Sequence, residues 1–236
     1  MFERLTHGAK ELQFLARFAE PTGRRRFVQW SGITLGVVAL GCSDNNDNNP
    51  PDNGVSLGSG DNGILNYAYA LEQLEAAFYT MVTASFYANA STDEKNILGD
   101  IKAHEVIHRD FLKATLGSAA IADLQVDFSS IDFSSRSSVL GAARAFEDLG
   151  VSAYNGAGKL LSNPDYLLVA GKIVSVEARH ASAIRAMLQP NTTYFAGDDV
   201  VNRDTGLDGA NDPASVLATA DVYVTTTIDA SGLPTT

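Results

Sequence analysis

Cysteine, basic charge and long apolar runs are all scarce in this chain, and each scarcity closes off a class of protein. The one cysteine, Cys42, cannot form an intrachain disulfide. With 17 Lys and Arg against 28 Asp and Glu, the net charge is −11. The deficit is unevenly spread: residues 1–42 carry +3 and the remainder carries −14. A body that acidic lacks the basic face expected for nucleic-acid binding and attracts cations instead. An uncharged run, Trp30 to Leu40, is only eleven residues long, against the roughly 20 that a helix needs to span a bilayer. No glycine-rich phosphate loop and no Ser/His/Asp constellation stands out.

What is present begins with a targeting pattern. Arg24-Arg25-Arg26-Phe27 precedes the apolar run, which ends at Gly41-Cys42. A basic segment, a short apolar stretch and a small residue before a cleavage point describe a signal peptide. Arg24, Arg25 and Phe27 resemble the twin-arginine export signal, with Gly23, Val28 and Gln29 departing from its usual form. The alternative is a basic loop ahead of a core helix. Ala39-Leu40-Gly41-Cys42 resembles a lipoprotein cleavage box. That makes Cys42 a lipidation candidate and a point of membrane attachment; cleavage nearby and release as a free protein is the other reading. Residues 43–60 are rich in Asn, Asp, Gly and Pro, bury little, and are expected to form a flexible linker. The expected location is outside the cytoplasm, in the periplasm or cell envelope.

After the linker the apolar pattern becomes helical. Four helices are expected, at about Gly60–Ala88, Asp93–Leu116, Ser137–Leu161 and Asp165–Leu188. Ser91 or Thr92 can cap the second, Gly117 can stop it, Pro164 suits a first helical turn, and Pro190 ends the fourth. Short turns make two antiparallel hairpins. The link of about 20 residues between them reaches roughly 65 Å when extended, more than the roughly 38 Å of a 25-residue helix. An all-α, up-down four-helix bundle over residues 61–188, with a long crossover between helices two and three, is the predicted fold. Residues 189–236 read as an irregular C-terminal tail with an apolar stretch at Pro213–Thr227 able to pack back on the bundle.

Two Glu-x-x-His motifs lie inside these helices, Glu105-Val106-Ile107-His108 and Glu177-Ala178-Arg179-His180. Residues i and i+3 share a helix face, so each motif aims a carboxylate and an imidazole the same way. Glu72 and Glu147 supply single glutamates from the other two helices. Glu72 lies 18 residues before Ala90 and His108 lies 18 after it. Glu147 lies 16 before Asn163, with Glu177 and His180 lying 14 and 17 after it. All six therefore fall at one height, about 25 Å from their turns at about 1.5 Å per residue. Buried carboxylates are costly unless paired or metal-bound, and two divalent cations would balance four of them. These donors suit Fe(II), and also Mn or Zn. Glu75, Tyr79 and Tyr154 are candidates for hydrogen-bond partners beside the ligands; for the tyrosines plain core packing is the alternative. His104 and Asp148 point off the ligand face, and His104 is expected at the surface.

The stretches Leu65-Asn66 through Glu72 to Tyr79, Glu105-x-x-His108, Ala145-Phe146-Glu147-Asp148-Leu149-Gly150-Val151-x-Ala153-Tyr154 and Val176-Glu177-Ala178-Arg179-His180 resemble the ferritin-like superfamily. The closer resemblance is to the bacterial ferritin-like domain family related to plant desiccation-related proteins. It implies metal ligands at Glu72, Glu105, His108, Glu147, Glu177 and His180, two iron ions (or manganese), and O2 or peroxide as reaction partners. An export signal, and a tail expected to lack a short fifth helix after Met187, set the chain apart from iron-storage cages; a homo-oligomer stays open. Three functions compete: a di-iron oxidoreductase of ferroxidase or peroxide-detoxifying type, a non-catalytic stress-related envelope protein, and a manganese-type catalase.

Overall fold

Residues 54–235 are described by a computed structural model of the chain. Arg24, Arg25, Phe27 and Cys42, with the expected signal and most of the expected linker, lie outside them. Four long helices carry the fold: α1 (Gly60–Ala84), α2 (Thr92–Leu116), α3 (Arg136–Gly158) and α4 (Pro164–Leu188). Helix α1 packs along α2 and α3 along α4, giving the two expected hairpins. Among the described residues no helix is long and apolar enough to cross a membrane.

The helix ends follow local chemistry. Ser91 closes a capping box on α2: Glu94 N donates to Ser91 Oγ at 3.1 Å, and Ser91 N donates to Glu94 Oε2 at 2.8 Å. Asn163 caps α4, with Pro164 in its first turn. Helix α1 stops at Ala84 rather than Ala88. Tyr87 turns inward and is buried, and Ala88 N donates to Ser134 O instead of continuing the helix. Arg136 then clasps this end of the bundle, donating to Glu94 Oε1 at 2.7 Å and to Met187 O at 2.8 Å.

The two layers of the bundle differ in cover. Helix α1 is buried without interruption from Gly63 to Ala76, whereas α2 buries only Leu98, Ile101, Glu105, Leu112 and Leu116. The cover comes from the crossover and the C-terminal segment. Phe128 and Phe133 of the crossover and Tyr223 of the C-terminal segment join Phe78 and Phe146 in one largely edge-to-face cluster. Asn66 uses its amide fully, donating to Leu57 O and Ala119 O and accepting from Ile121 N. Gln73 Oε1 accepts from Leu124 N at 2.8 Å.

Two further sequence expectations differ from the structure. The end of the supposed linker is not free: Val55–Ser56 (β1) pairs in parallel with Ile228–Asp229 (β2), and Leu57 is fully buried. The tail is not irregular throughout, and it does hold a short fifth helix, α5 (Pro213–Ala220), with Asp212 as its cap. Eight residues span barely two turns, too few for a periodic pattern to register. The segment before it docks against α3, where Asn211 N donates to Ser152 O and the carbonyl of Asn211 occupies the space a side chain at Gly156 would need.

Candidate metal centre

At mid-height each helix turns acidic side chains inward, two on α1 and one on each of the others. Glu72 on α1, Glu105 on α2, Glu147 on α3 and Glu177 on α4 are all buried, as is His180, while His108 keeps 12% of its side chain exposed. The six residues expected to meet do meet. His108 Nδ1 lies 2.9 Å from Glu177 Oε1 and 3.6 Å from both Glu72 Oε2 and Glu105 Oε2. His180 Nδ1 lies 2.8 Å from Glu105 Oε1, 3.4 Å from Glu147 Oε2 and 3.5 Å from Glu177 Oε2. The donors thus form two groups, Glu72-Glu105-His108-Glu177 and Glu105-Glu147-Glu177-His180. Glu105 and Glu177 belong to both, and each turns one oxygen to either side.

The two remaining oxygens are taken by tyrosines from the opposite hairpin. Tyr79 on α1 donates to Glu147 Oε1 at 2.5 Å, and Tyr154 on α3 donates to Glu72 Oε1 at 2.6 Å. Burial, and then the Glu147 carboxylate, pushes the Tyr79 phenol well above its usual range; burial and Glu72 do the same for Tyr154. Both therefore stay protonated donors. The core-packing alternative for these tyrosines gives way to hydrogen bonds that cross the bundle.

The atoms left over test whether a metal pair fits. Glu72 Oε2, both oxygens of Glu105, His108 Nδ1, Glu147 Oε2, both oxygens of Glu177 and His180 Nδ1 are buried with no partner other than one another. A buried polar atom without a partner costs about 1–3 kcal/mol, more when charged. Eight in one place, partnered only by one another, are costly unless cations or protons complete them, so the donor set fits a metal site. Without metal, protons take over part of that role. Burial disfavours the imidazolium of His108, but its carboxylate partners outweigh this and push it up to about 12; His180 behaves alike. Burial raises Glu72 well above the carboxylate range and Glu147 up to about 8. Glu105, although buried, is drawn down to about 2 by its bonds to both imidazoles.

Glu75 is buried beside the cluster but outside the ligand groups, its Oε1 3.0 Å from where a side chain at Gly150 would begin. Burial, and then the charges of Glu105 and Glu177, keep it protonated well above its ordinary value. Two residues escaped sequence reasoning. His104 is exposed, as expected, but its Nδ1 also lies 2.9 Å from Nε2 of His180. Its position before Glu105 was visible, but which side of α2 faces α4 was not. Arg185 is buried and forks onto Asp148 (2.8 and 2.9 Å) and Asp199 (3.0 and 2.7 Å). A long basic side chain near a helix end reads as solvated, so nothing marked it.

Four helices that converge carboxylates and imidazoles on one buried point define a four-helix carboxylate–histidine bundle. The chain belongs to the ferritin-like domain family, which matches residues 60–190. No curated protein matches the chain.

Proposed function

We propose that this chain is an exported dinuclear metal protein, with two iron ions as cofactor and manganese as the alternative. We further propose that it acts on O2 or peroxide as an oxidoreductase of ferroxidase or peroxide-detoxifying type. One observation carries the reading: the eight inward atoms partnered only by one another divide into two sets of four around a shared pair of glutamates. Two divalent cations balance four carboxylates, and imidazole with carboxylate suits iron and manganese. A ferrous pair would supply the two electrons that reduce O2 or peroxide.

The chain's own part is positioning. Glu105 and Glu177 hold the two positions together. Glu72 and Glu147 each offer one oxygen inward because a tyrosine holds the other. The crossover and C-terminal segment pack against α1 and α3. Small molecules would enter on the α2 and α4 side, where His108 is partly exposed and His104 meets solvent. Arg24, Arg25 and Phe27 support export of the folded protein to the periplasm or cell envelope, and Cys42 supports an anchor there.

The test is anaerobic reconstitution with Fe(II), followed by O2 or peroxide while iron oxidation is recorded. The reading expects two irons per chain, oxidised faster than iron in buffer, with both properties lost in Glu105→Ala. Fewer than one iron per chain would overturn it. Two irons that oxidise no faster than free iron would keep the metal centre and favour a non-catalytic, stress-related envelope role.

A further inference from the structure

The hairpins repeat the same candidate ligands, a single glutamate and a Glu-x-x-His motif, and the repeat breaks at a residue that touches one of them. His104 precedes Glu105, whereas Val176 precedes Glu177. His104 sits on the exposed side of α2 with its Nδ1 2.9 Å from Nε2 of His180, the two rings lying 6° from parallel. Among the described residues, His108 Nε2 has no comparable hydrogen bond. The two imidazoles of the centre are therefore held differently.

We propose that His104 is a positioning residue that locks the His180 ring with Nδ1 toward the carboxylates, making the Glu147–His180 position the tighter of the two. The proposal rests on the dinuclear reading for its consequence and on the ring geometry for its cause. A neutral imidazole carries its proton on one nitrogen and can bind a cation only with the other. His180 Nδ1 lies among Glu105, Glu147 and Glu177, so ligation there requires the proton on Nε2. That N–H then donates to His104 Nδ1, leaving the proton of His104 on its own Nε2. A hydrogen bond on the far nitrogen fixes both tautomer and ring direction, and its removal commonly costs 10–100-fold in metal affinity. His108 must find the same tautomer unaided.

Zn(II), a diamagnetic probe, is titrated into the metal-free full chain and into His104→Phe and His104→Asn. Asparagine keeps an acceptor near the place of Nδ1. The wild type is expected to bind two ions. His104→Phe should bind one of them about 10–100-fold more weakly and the other unchanged, while His104→Asn recovers to within about threefold. In imidazole 15N spectra the Nε2–H of His180 should exchange slowly in the wild type and His104→Asn, and fast in His104→Phe, with His108 unaltered. Unchanged affinities in His104→Phe would overturn the proposal. So would equal weakening of both positions together with a lowered melting temperature, which would mark a merely structural role. If the wild type binds no zinc, the dinuclear reading fails instead. The metal-free imidazole spectrum then decides this proposal alone: slow exchange at His180 that depends on His104 supports it, and fast exchange overturns it.

Discussion

The two hairpins build the same half-site and finish it differently. Glu72 and Tyr79 on α1 are spaced as Glu147 and Tyr154 are on α3, and Glu105-x-x-His108 on α2 corresponds to Glu177-x-x-His180 on α4. Even the residue after each single glutamate has a parallel task. Gln73 receives the backbone of the crossover, and Asp148 receives Arg185, which also grips Asp199 of the C-terminal segment. The differences are confined to the surroundings. Glu75 on α1 faces Gly150 at the matching place on α3, and His104 has Val176 as its counterpart. The second hairpin is tied down by a buried arginine, the first by the exposed pair Lys113–Asp123. The repeated residues are those the proposed metal pair would need twice; the unrepeated ones would distinguish one metal from the other.

The largest effects should come from the glutamates that both halves share. Glu177→Ala or Glu105→Ala should reduce bound metal from two per chain to background. Glu147→Ala, which touches one position, should leave one. Metal analysis of the purified variants checks this, and equal loss in all three would deny that the positions are separable.

Arg185→Met and Lys113→Met contrast the two ties. Removing one member of a buried ion pair typically costs about 3–5 kcal/mol. Because Asp199 is half exposed, the loss for Arg185→Met should sit at about 2–3 kcal/mol in chemical denaturation. Lys113→Met, at a pair exposed on both sides, should change stability by no more than about 0.5 kcal/mol.

The tyrosines test the crossing of the hairpins. Tyr79→Phe should weaken the metal position of Glu147, in the other hairpin, and Tyr154→Phe that of Glu72, each by about tenfold. Site-resolved titration would show each effect in the opposite hairpin, and effects within the same hairpin would contradict the hydrogen bonds.

A smaller, opposed pair of pH trends should accompany these. In the metal-free chain His108 and His180 are pushed up to about 12, from an unfolded value of about 6.5. A group whose proton is held more tightly in the fold stabilises it fully below the unfolded pKa, and that contribution drains away as pH rises toward the folded one. Glu147, up at about 8, acts in the same direction. Metal binding displaces these protons and so strengthens with pH. Between about pH 6.5 and 9 the metal-free melting temperature should fall. The upward shift caused by Mn(II) should grow over the same range.

The bundle was legible because its signals are periodic. Each helix shows its inward stripe every three or four residues, and Glu105-x-x-His108 and Glu177-x-x-His180 ride on those stripes. Counting residues from Ala90 and Asn163 then put all six candidates at one height, where the structure brings them together. A long crossover and an apolar stretch at Pro213–Thr227 able to pack back were legible too, and Val216, Ala220 and Val224 are buried; the particular contacts of crossover and tail were not, because they are isolated ones. Asn66, Gln73 and the Phe78–Phe128–Phe146–Tyr223 cluster join segments far apart in sequence, and no local pattern announces such partners. The same applies to His104 and Arg185, whose roles depend on which neighbouring helix lies across from them.

The most direct test of a metal pair within the bundle is anomalous scattering from crystals of the Fe(II)- or Mn(II)-loaded protein. Two peaks enclosed by Glu72, Glu105, His108, Glu147, Glu177 and His180 are predicted. The absence of any peak among those side chains, with metal found only at the protein surface, would contradict it.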